Sequence, residues 1–225
     1  MKNGKRITVA VDGPAGSGKS SVCRKTALEL GLQYIDSGAI YRAITWFFMN
    51  NYPDFRNVEE PAEKLADVLI EQEFCTDGKA KTYVNGSDVS LLIREESVAK
   101  NISNFSDNNS IREFVNSLLR GWSGENSVIM DGRDIGTVVF PHADIKIYLD
   151  ASVDVRTTRR VKEYADLGKK VDENSIRNQI IQRDFNDQNR EFAPLKKADD
   201  ALYIDTSEMT FDEVVDKLKG LINRI

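Results

Sequence analysis

Short apolar runs alternate with longer stretches of helical periodicity along this chain. Five runs read as strands: RITVAV at 6–11, LQYID at 32–36, SVIMD at 127–131, IKIYL at 145–149 and ALYID at 201–205. Several are continuously apolar, the pattern of strands covered on both faces. Helical stretches separate them, which predicts an α/β fold around a parallel sheet. The clearest helix is the last. Thr210 stands three positions before Glu213, a capping-box pattern. Phe211, Val214, Val215, Leu218, Leu221, Ile222 and Ile225 follow at helical spacing and predict a core-packing stripe.

Two regions break this rhythm. EEPAEKLADVLIEQ, at 59–72, predicts an amphipathic helix, and residues 74–96 that follow carry Asp77-Gly78 and Asn85-Gly86, both tight-turn pairs. The pieces around those pairs predict a small antiparallel insertion. Residues 153–191 are dense in charge and include Arg156, Arg159, Arg160, Arg177, Arg183 and Arg190. A solvated helical hairpin and an anion-facing flap are both consistent with that composition.

The length of 225 residues suits one compact domain, or a core with a sizeable insertion, and the 40% hydrophobic content can build a buried core. A formal net charge of −5 argues against a sequence-independent nucleic-acid binder. Cys23 and Cys75 form no CxxC pair and predict free thiols in a reducing, cytoplasmic setting. No apolar run reaches the roughly 18 residues of a membrane span. The opening MKNGKRITVAVDGP has the charge and apolar run of a leader. It passes straight into a glycine-rich loop, so it reads as a first strand.

That loop carries the first chemistry. Gly13, Gly18, Lys19 and Ser20 fit G-x-x-x-x-G-K-[ST] between a predicted strand and a predicted helix. Glycines open the backbone so that successive N–H groups face a phosphate at a helix N-terminus. The lysine adds a charge between β- and γ-phosphates, and the serine hydroxyl is the usual Mg²⁺ ligand of such loops. Two acids close strands, Asp36 in LQYID and Asp131 in SVIMD. Each suits a carboxylate that holds Mg²⁺ with Ser20, and each is equally read as a turn aspartate. His142, the single histidine, follows Pro141 at a turn, and Trp46, Phe47 and Phe48 share one apolar stretch. None is expected to do chemistry.

Three further motifs follow strands and the arginine-rich region: DSGAIYR, DGRDIGTVVFP and RDFNDQNREFAPL. With the loop, in this order, they make the chain resemble the bacterial cytidylate kinases nearly end to end. The resemblance implies a P-loop three-layer α/β fold with a five-stranded parallel core sheet. It also implies a monophosphate-binding arm with a small antiparallel β insertion, and a short helical lid. The implied parts are a core at about 1–40, 101–155 and 192–225, an arm at about 41–100 and a lid at about 156–191.

The implied activity is phosphorylation of CMP and dCMP by ATP with Mg²⁺. Gly13, Pro14, Ala15, Gly16, Ser17, Gly18, Lys19, Ser20 and Ser21 would hold the donor. Arg42, Arg133 and Arg190 would hold the acceptor phosphate. Ser37, Ser103, Arg112 and Asp134 would surround the cytosine, and Arg183 and Asp187 would reach the sugar. Arg159 and Arg160 would close over ATP, so that Lys19, Arg133, Arg159, Arg160 and Arg190 carry the transfer. Where some relatives have a serine, this chain has Ala15, so contact with the acceptor phosphate there would be through backbone alone. The expected partners are small molecules, with neither nucleic acid nor membrane, and the expected state is a monomer. A kinase for another monophosphate such as UMP, and a nucleotide-dependent regulatory module, are the alternatives.

Overall fold

The structure is a computed structural model and describes residues 6–66, 68–74, 80–124, 126–166 and 168–225. The chain opens with β1 (Thr8–Asp12), α1 (Lys19–Leu30), β2 (Gln33–Asp36) and α2 (Ser37–Asn51). The insertion follows as β3 (Ile70–Phe74), β4 (Ala80–Val84) and β5 (Ser87–Asp88). Three helices come next, α3 (Glu96–Asn101), α4 (Ser103–Ser106) and α5 (Asn109–Trp122). The chain then runs through β6 (Val128–Gly132), β7 (Ile145–Asp150), α6 (Val153–Asp166), α7 (Glu173–Asn189), β8 (Leu202–Asp205) and α8 (Phe211–Ile222).

The five predicted strands form one parallel sheet in the order β2-β6-β1-β7-β8. Apolar residues of α1 and α8, among them Val22, Ala27, Val214 and Leu218, cover one side. Residues of α2 and α5, among them Ile40, Ile44, Ile111 and Val115, cover the other. Burial on both faces explains why the central β1 and β6 lack polar alternation, whereas the edge strand β8 buries only Ile204. The register sets Val11 and Asp36 both opposite Asp131, and Asp12 opposite Gly132. Three carboxylates therefore end on one rim of the sheet, beside the switch of strand order around β1, where open α/β sheets collect their ligands.

Among the described residues of 59–72 the predicted amphipathic α-helix does not form. A single 3₁₀ turn covers Glu63–Leu65, and Ile70–Phe74 is β3, antiparallel to β4 with Ile70 opposite Val84. In IEQEF, Ile70 is buried, Gln72 and Phe74 are partly covered, and Glu71 and Glu73 are exposed. That is the two-residue period of a strand, which a helical reading of the longer window averaged away. Asn85 (φ 49°) and Gly86 (φ 76°) make the tight β4–β5 turn with both residues left-handed. Asp77-Gly78 and Cys75 lie outside the described residues.

Phe48 of α2 stacks on Phe105 at 4.7 Å between ring centroids, and Trp46 and Phe47 pack against the same cluster. The terminal helix has its capping box, but Phe211 and Ile225 of the expected stripe are exposed. The arginine-rich region is the helical hairpin α6–α7. Cys23 is a buried free thiol, and among the described residues no helix is long and apolar enough to cross a membrane.

Candidate active site

The glycine-rich loop runs from the end of β1 into α1, with Gly18 as N-cap in the left-handed region at φ 87°. A Cβ on Gly13 would stand 2.1 Å from the carbonyl oxygen of Leu149, so any other residue would lift the loop off β7. Lys19 is buried, and its Nζ donates to the Pro14 carbonyl at 2.7 Å and to Ser17 Oγ at 3.2 Å. Burial, and then the like charge of Arg133, pulls its pKa down to about 7.

Behind the lysine, Ser20 Oγ donates to Asp131 Oδ2 at 2.7 Å and Tyr34 Oη donates to Asp131 Oδ1 at 2.6 Å. Burial, and then the neighbouring Asp36, raises the Asp131 pKa. A buried carboxylate held by two hydroxyls and lacking an ion-pair partner among the described residues suits a hard divalent cation. The Ser20–Asp131 pair is such a donor set for Mg²⁺. Among the described residues no three His, Cys, Asp or Glu side chains gather as a cation cage. Asp36 has a structural task as well: its Oδ1 accepts from the Ala39 amide at 2.9 Å and caps α2. Burial raises the Asp12 pKa to about 6, although its carboxylate accepts from the Ile135 and Gly136 amides.

On the other side of the rim, β6 leads through Arg133 and Asp134 into one wide π-type turn, Ile135–Val139. Asp134, only 5% exposed, accepts from Arg112 Nη2 and, at 3.2 Å, from Arg190 Nη2. Arg112, 3% exposed, reaches from α5 and also donates to the Ser106 carbonyl, while its buried Nε has no partner. Ser103 is exposed on α4, the helix that carries Ser106. Ser37 Oγ donates to the Asp131 carbonyl at 2.6 Å.

Arg133 Nε pairs with Asp187 of α7 at 2.7 Å. Burial opposes ionisation of Asp187, but Arg133 and Arg183 together hold its pKa below the usual carboxylate value. Arg42 and Arg183 are half-buried, and neither lies within ion-pairing distance of a carboxylate among the described residues. Burial, followed by Arg133, lowers the Arg183 pKa to about 10; Asp187 acts the other way, and Arg42 and Arg160 add to the lowering. Of these four arginines, Arg133 is paired with Asp187 and the exposed Arg160 with Glu163 at 2.8 Å, whereas Arg42 and Arg183 have no ion pair among the described residues.

The structure sorts the sequence-predicted residues into groups. Arg42, Arg133, Arg160 and Arg183 lie near enough that, after burial, the charges of Arg133 and Arg160 lower the pKa of Arg42 and of Arg183. Arg112, Asp134 and Arg190 form a second group. Arg159 stands apart, donating to the Thr206 carbonyl at 2.7 Å and to Thr206 Oγ1 at 3.1 Å. The Ala15 amide is committed inside the chain, donating to Asp184 Oδ1 at 3.2 Å. Gly16 and Ser21 are exposed at the loop, and His142 is exposed at its turn.

Sequence reasoning missed three contributors. Arg156 and Asp184 pair beneath the loop at 2.6 Å. Gln72 of β3 donates to the Asp36 carbonyl at 2.8 Å and accepts from the Asp36 amide at 3.1 Å. For the first two the only local signal was charge within a charge-rich run. Gln72 had none, because the strand that carries it was read as helix.

The family model described as cytidylate kinase matches residues 9–224. The chain is 44% identical over 218 residues to a cytidylate kinase of Lactobacillus gasseri, covering 97% of this chain and 94% of that protein. It is 42% identical over 217 residues to a cytidylate kinase of Clostridium tetani, covering 96% and 94%. A crystal structure of an uncharacterized protein from Eubacterium ventriosum aligns at a TM-score of 0.56 and 15% identity, covering 98% of this chain and 100% of that one, a likeness of fold alone. A match that spans the donor loop, the acid-tipped rim and the arginine cluster, with relatives this similar over nearly the whole chain, establishes that the chain belongs to the cytidylate kinase family.

Proposed function

We propose that this site transfers the terminal phosphoryl group of ATP to CMP and dCMP. The observation that carries the reading is the half-buried pair of Arg42 and Arg183, both without an ion pair among the described residues and both acted on by Arg133, whose charge also reaches Lys19. Guanidinium groups left so call for an anion with several oxygens, and planar forks pair with phosphate. The glycine loop holds the donor through its backbone amides, with Lys19 between the β- and γ-phosphates. Ser20 and Asp131 would hold Mg²⁺, which would supply neutralisation of charge on the donor phosphates.

An acceptor phosphate oxygen, already ionised at neutral pH, attacks the γ-phosphorus and ADP leaves. No general base is needed, because phosphoryl transfer depends on alignment and charge stabilisation. Arg133, Arg42 and Arg190 hold the acceptor, and Arg160 meets the charge spreading over the transferred group. The thrice-bonded position of Arg159 supports a role in anchoring α6 next to the loop. The lid at about 156–191 and the arm at about 41–100 enclose the reacting groups and exclude water.

The Arg112–Asp134 pair supports a cytosine reader. Cytosine offers an amino donor to the carboxylate and acceptors to the guanidinium, with Ser103 at the margin. Uracil turns the amino position into an acceptor, which Asp134 would repel. Ser37, Arg183 and Asp187 complete the acceptor side at base and sugar. The test is a panel of monophosphates with ATP and Mg²⁺. CMP and dCMP run far ahead of UMP, AMP and GMP; equal rates with UMP would remove the base-reading argument.

A further inference from the structure

Arg156 and Asp184 lie outside the residues assigned above, yet they hold the donor loop on both sides of Ala15. The Ala15 amide donates to Asp184 Oδ1 at 3.2 Å, and the Ala15 carbonyl accepts from Arg156 Nη1 at 2.9 Å. The same Nη1 meets Asp184 Oδ2 at 2.6 Å, and Arg156 Nε donates to the Ala151 carbonyl at 2.9 Å. Arg156 is 4% exposed and packs under Gly16, whose built Cβ would sit 3.5 Å from the Arg156 Cβ. One ion pair thus fixes two successive peptide planes of the loop.

The first of those planes matters most. The Ala15 N–H and the Pro14 carbonyl belong to the same rigid peptide group and point in opposite directions. On one side stands the Asp184 carboxylate. On the other, the Pro14 carbonyl accepts from Lys19 Nζ at 2.7 Å. The relay therefore runs from Asp184 through one peptide plane to the phosphate-binding ammonium. Each hydrogen bond polarises the next in a buried setting. Asp184 sits on α7 between Arg183 and Asp187, so this relay joins the acceptor-side helix to the donor lysine.

We infer that Asp184, held by Arg156, is a positioning residue that sets the Pro14–Ala15 peptide plane and through it the resting place of Lys19. Neither residue needs to touch a substrate. An ordinary structural ion pair would tolerate any change that keeps the fold; a positioning pair demands an acceptor aimed at the Ala15 amide. Asparagine keeps such an acceptor in Oδ1 while losing the charge, and alanine keeps nothing.

The experiment compares Asp184→Ala and Asp184→Asn in the full chain. It follows exchange of the Ala15 amide by NMR alongside kcat and KM for CMP with ATP. Asp184→Ala speeds exchange at Ala15 and lowers kcat by about 10²-fold, the size expected for ångström-scale misplacement of a reacting group. Its KM for CMP stays within about threefold, because acceptor binding is not what was removed. Asp184→Asn keeps the amide protected and retains kcat within about tenfold of the parent.

Unchanged exchange in Asp184→Ala, or a kcat for Asp184→Asn as low as for alanine, overturns the inference. If alanine prevents folding, Arg156→Lys replaces it, since lysine carries a methylene where the arginine Nε donates to Ala151 and so cannot hold that anchor while serving Ala15 and Asp184. Its kcat must then fall below that of Asp184→Asn, and the reverse order overturns the relay. The inference rests on the kinase reading for its kinetic arm alone. A parent protein that leaves CMP untouched defeats that reading, while the exchange arm still decides the fate of the clasp.

Discussion

The donor loop and the acceptor side hold their cations in opposite ways. Lys19 is satisfied by atoms of its own loop, Pro14 and Ser17, within five residues of itself. The acceptor side draws arginines from α2, α5, the end of β6, α6, α7 and the segment after it, and only some meet a carboxylate. A local device can be completed by backbone geometry alone. A device assembled across the chain leaves Arg42 and Arg183 without an ion pair among the described residues, a gap that the proposed acceptor phosphate would fill. The first is thus generic to phosphate, whereas the second can be specific to what carries the phosphate.

The sharpest way to break this contrast is Lys19→Ala. Removing one positioned charge from a phosphoryl-transfer site lowers kcat by about 10²–10³-fold. CMP affinity, measured by calorimetry, stays close to the parent value because the acceptor arginines are untouched. A large loss of CMP binding would show that the two halves are not separable.

Asp134→Asn is the matching change on the other side. It lowers the CMP-to-UMP ratio of kcat/KM by about tenfold or more, the cost of mispairing a buried polar group. ATP affinity stays unchanged in the same titration. Asparagine is the better probe than alanine, since Arg112 and Arg190 would otherwise face an empty buried space.

A smaller effect separates the halves by pH. The Lys19 pKa of about 7 stands against an ordinary 10.5, so between those values the unfolded chain carries the extra proton. Stability of the ligand-free protein therefore gains a rising contribution with pH in that window. ATP returns the proton to Lys19. Calorimetry at pH 8 in buffers of different ionisation enthalpy should report proton uptake on ATP binding, and the affinity weakens by up to about tenfold per pH unit above 7. The smallest effect is the control. Thr210→Ala removes the cap of α8, whose side-chain hydrogen bonds go only to Glu213, and costs about 1 kcal/mol in chemical denaturation with kcat intact.

These differences also explain what could be read in advance. All five core strands were legible because continuous apolar runs have few alternatives in an α/β chain. The donor loop was legible because its chemistry is confined to consecutive residues. The residues proposed for the acceptor came only through likeness to a family, since nothing in the spacing of Arg42, Arg133 and Arg183 says that their charges act on one another. Arg156 and Asp184 escaped because their partner is a backbone group at Ala15, and sequence patterns do not announce which peptide needs support. The helix expected over 59–72 failed where Ile70 found Val84, a pairing that no window centred on either residue contains.

That strand has a bearing on how the fold can change. Gln72 supplies one donor and one acceptor to the backbone of Asp36, the service a neighbouring strand would give the end of β2. The inserted sheet is therefore no ornament that deletion could trim away. Removing it would strip the main-chain partners from the residue that ends β2 and caps α2. Any shortened descendant of this chain would have to find two replacement hydrogen bonds there before it could lose the insertion.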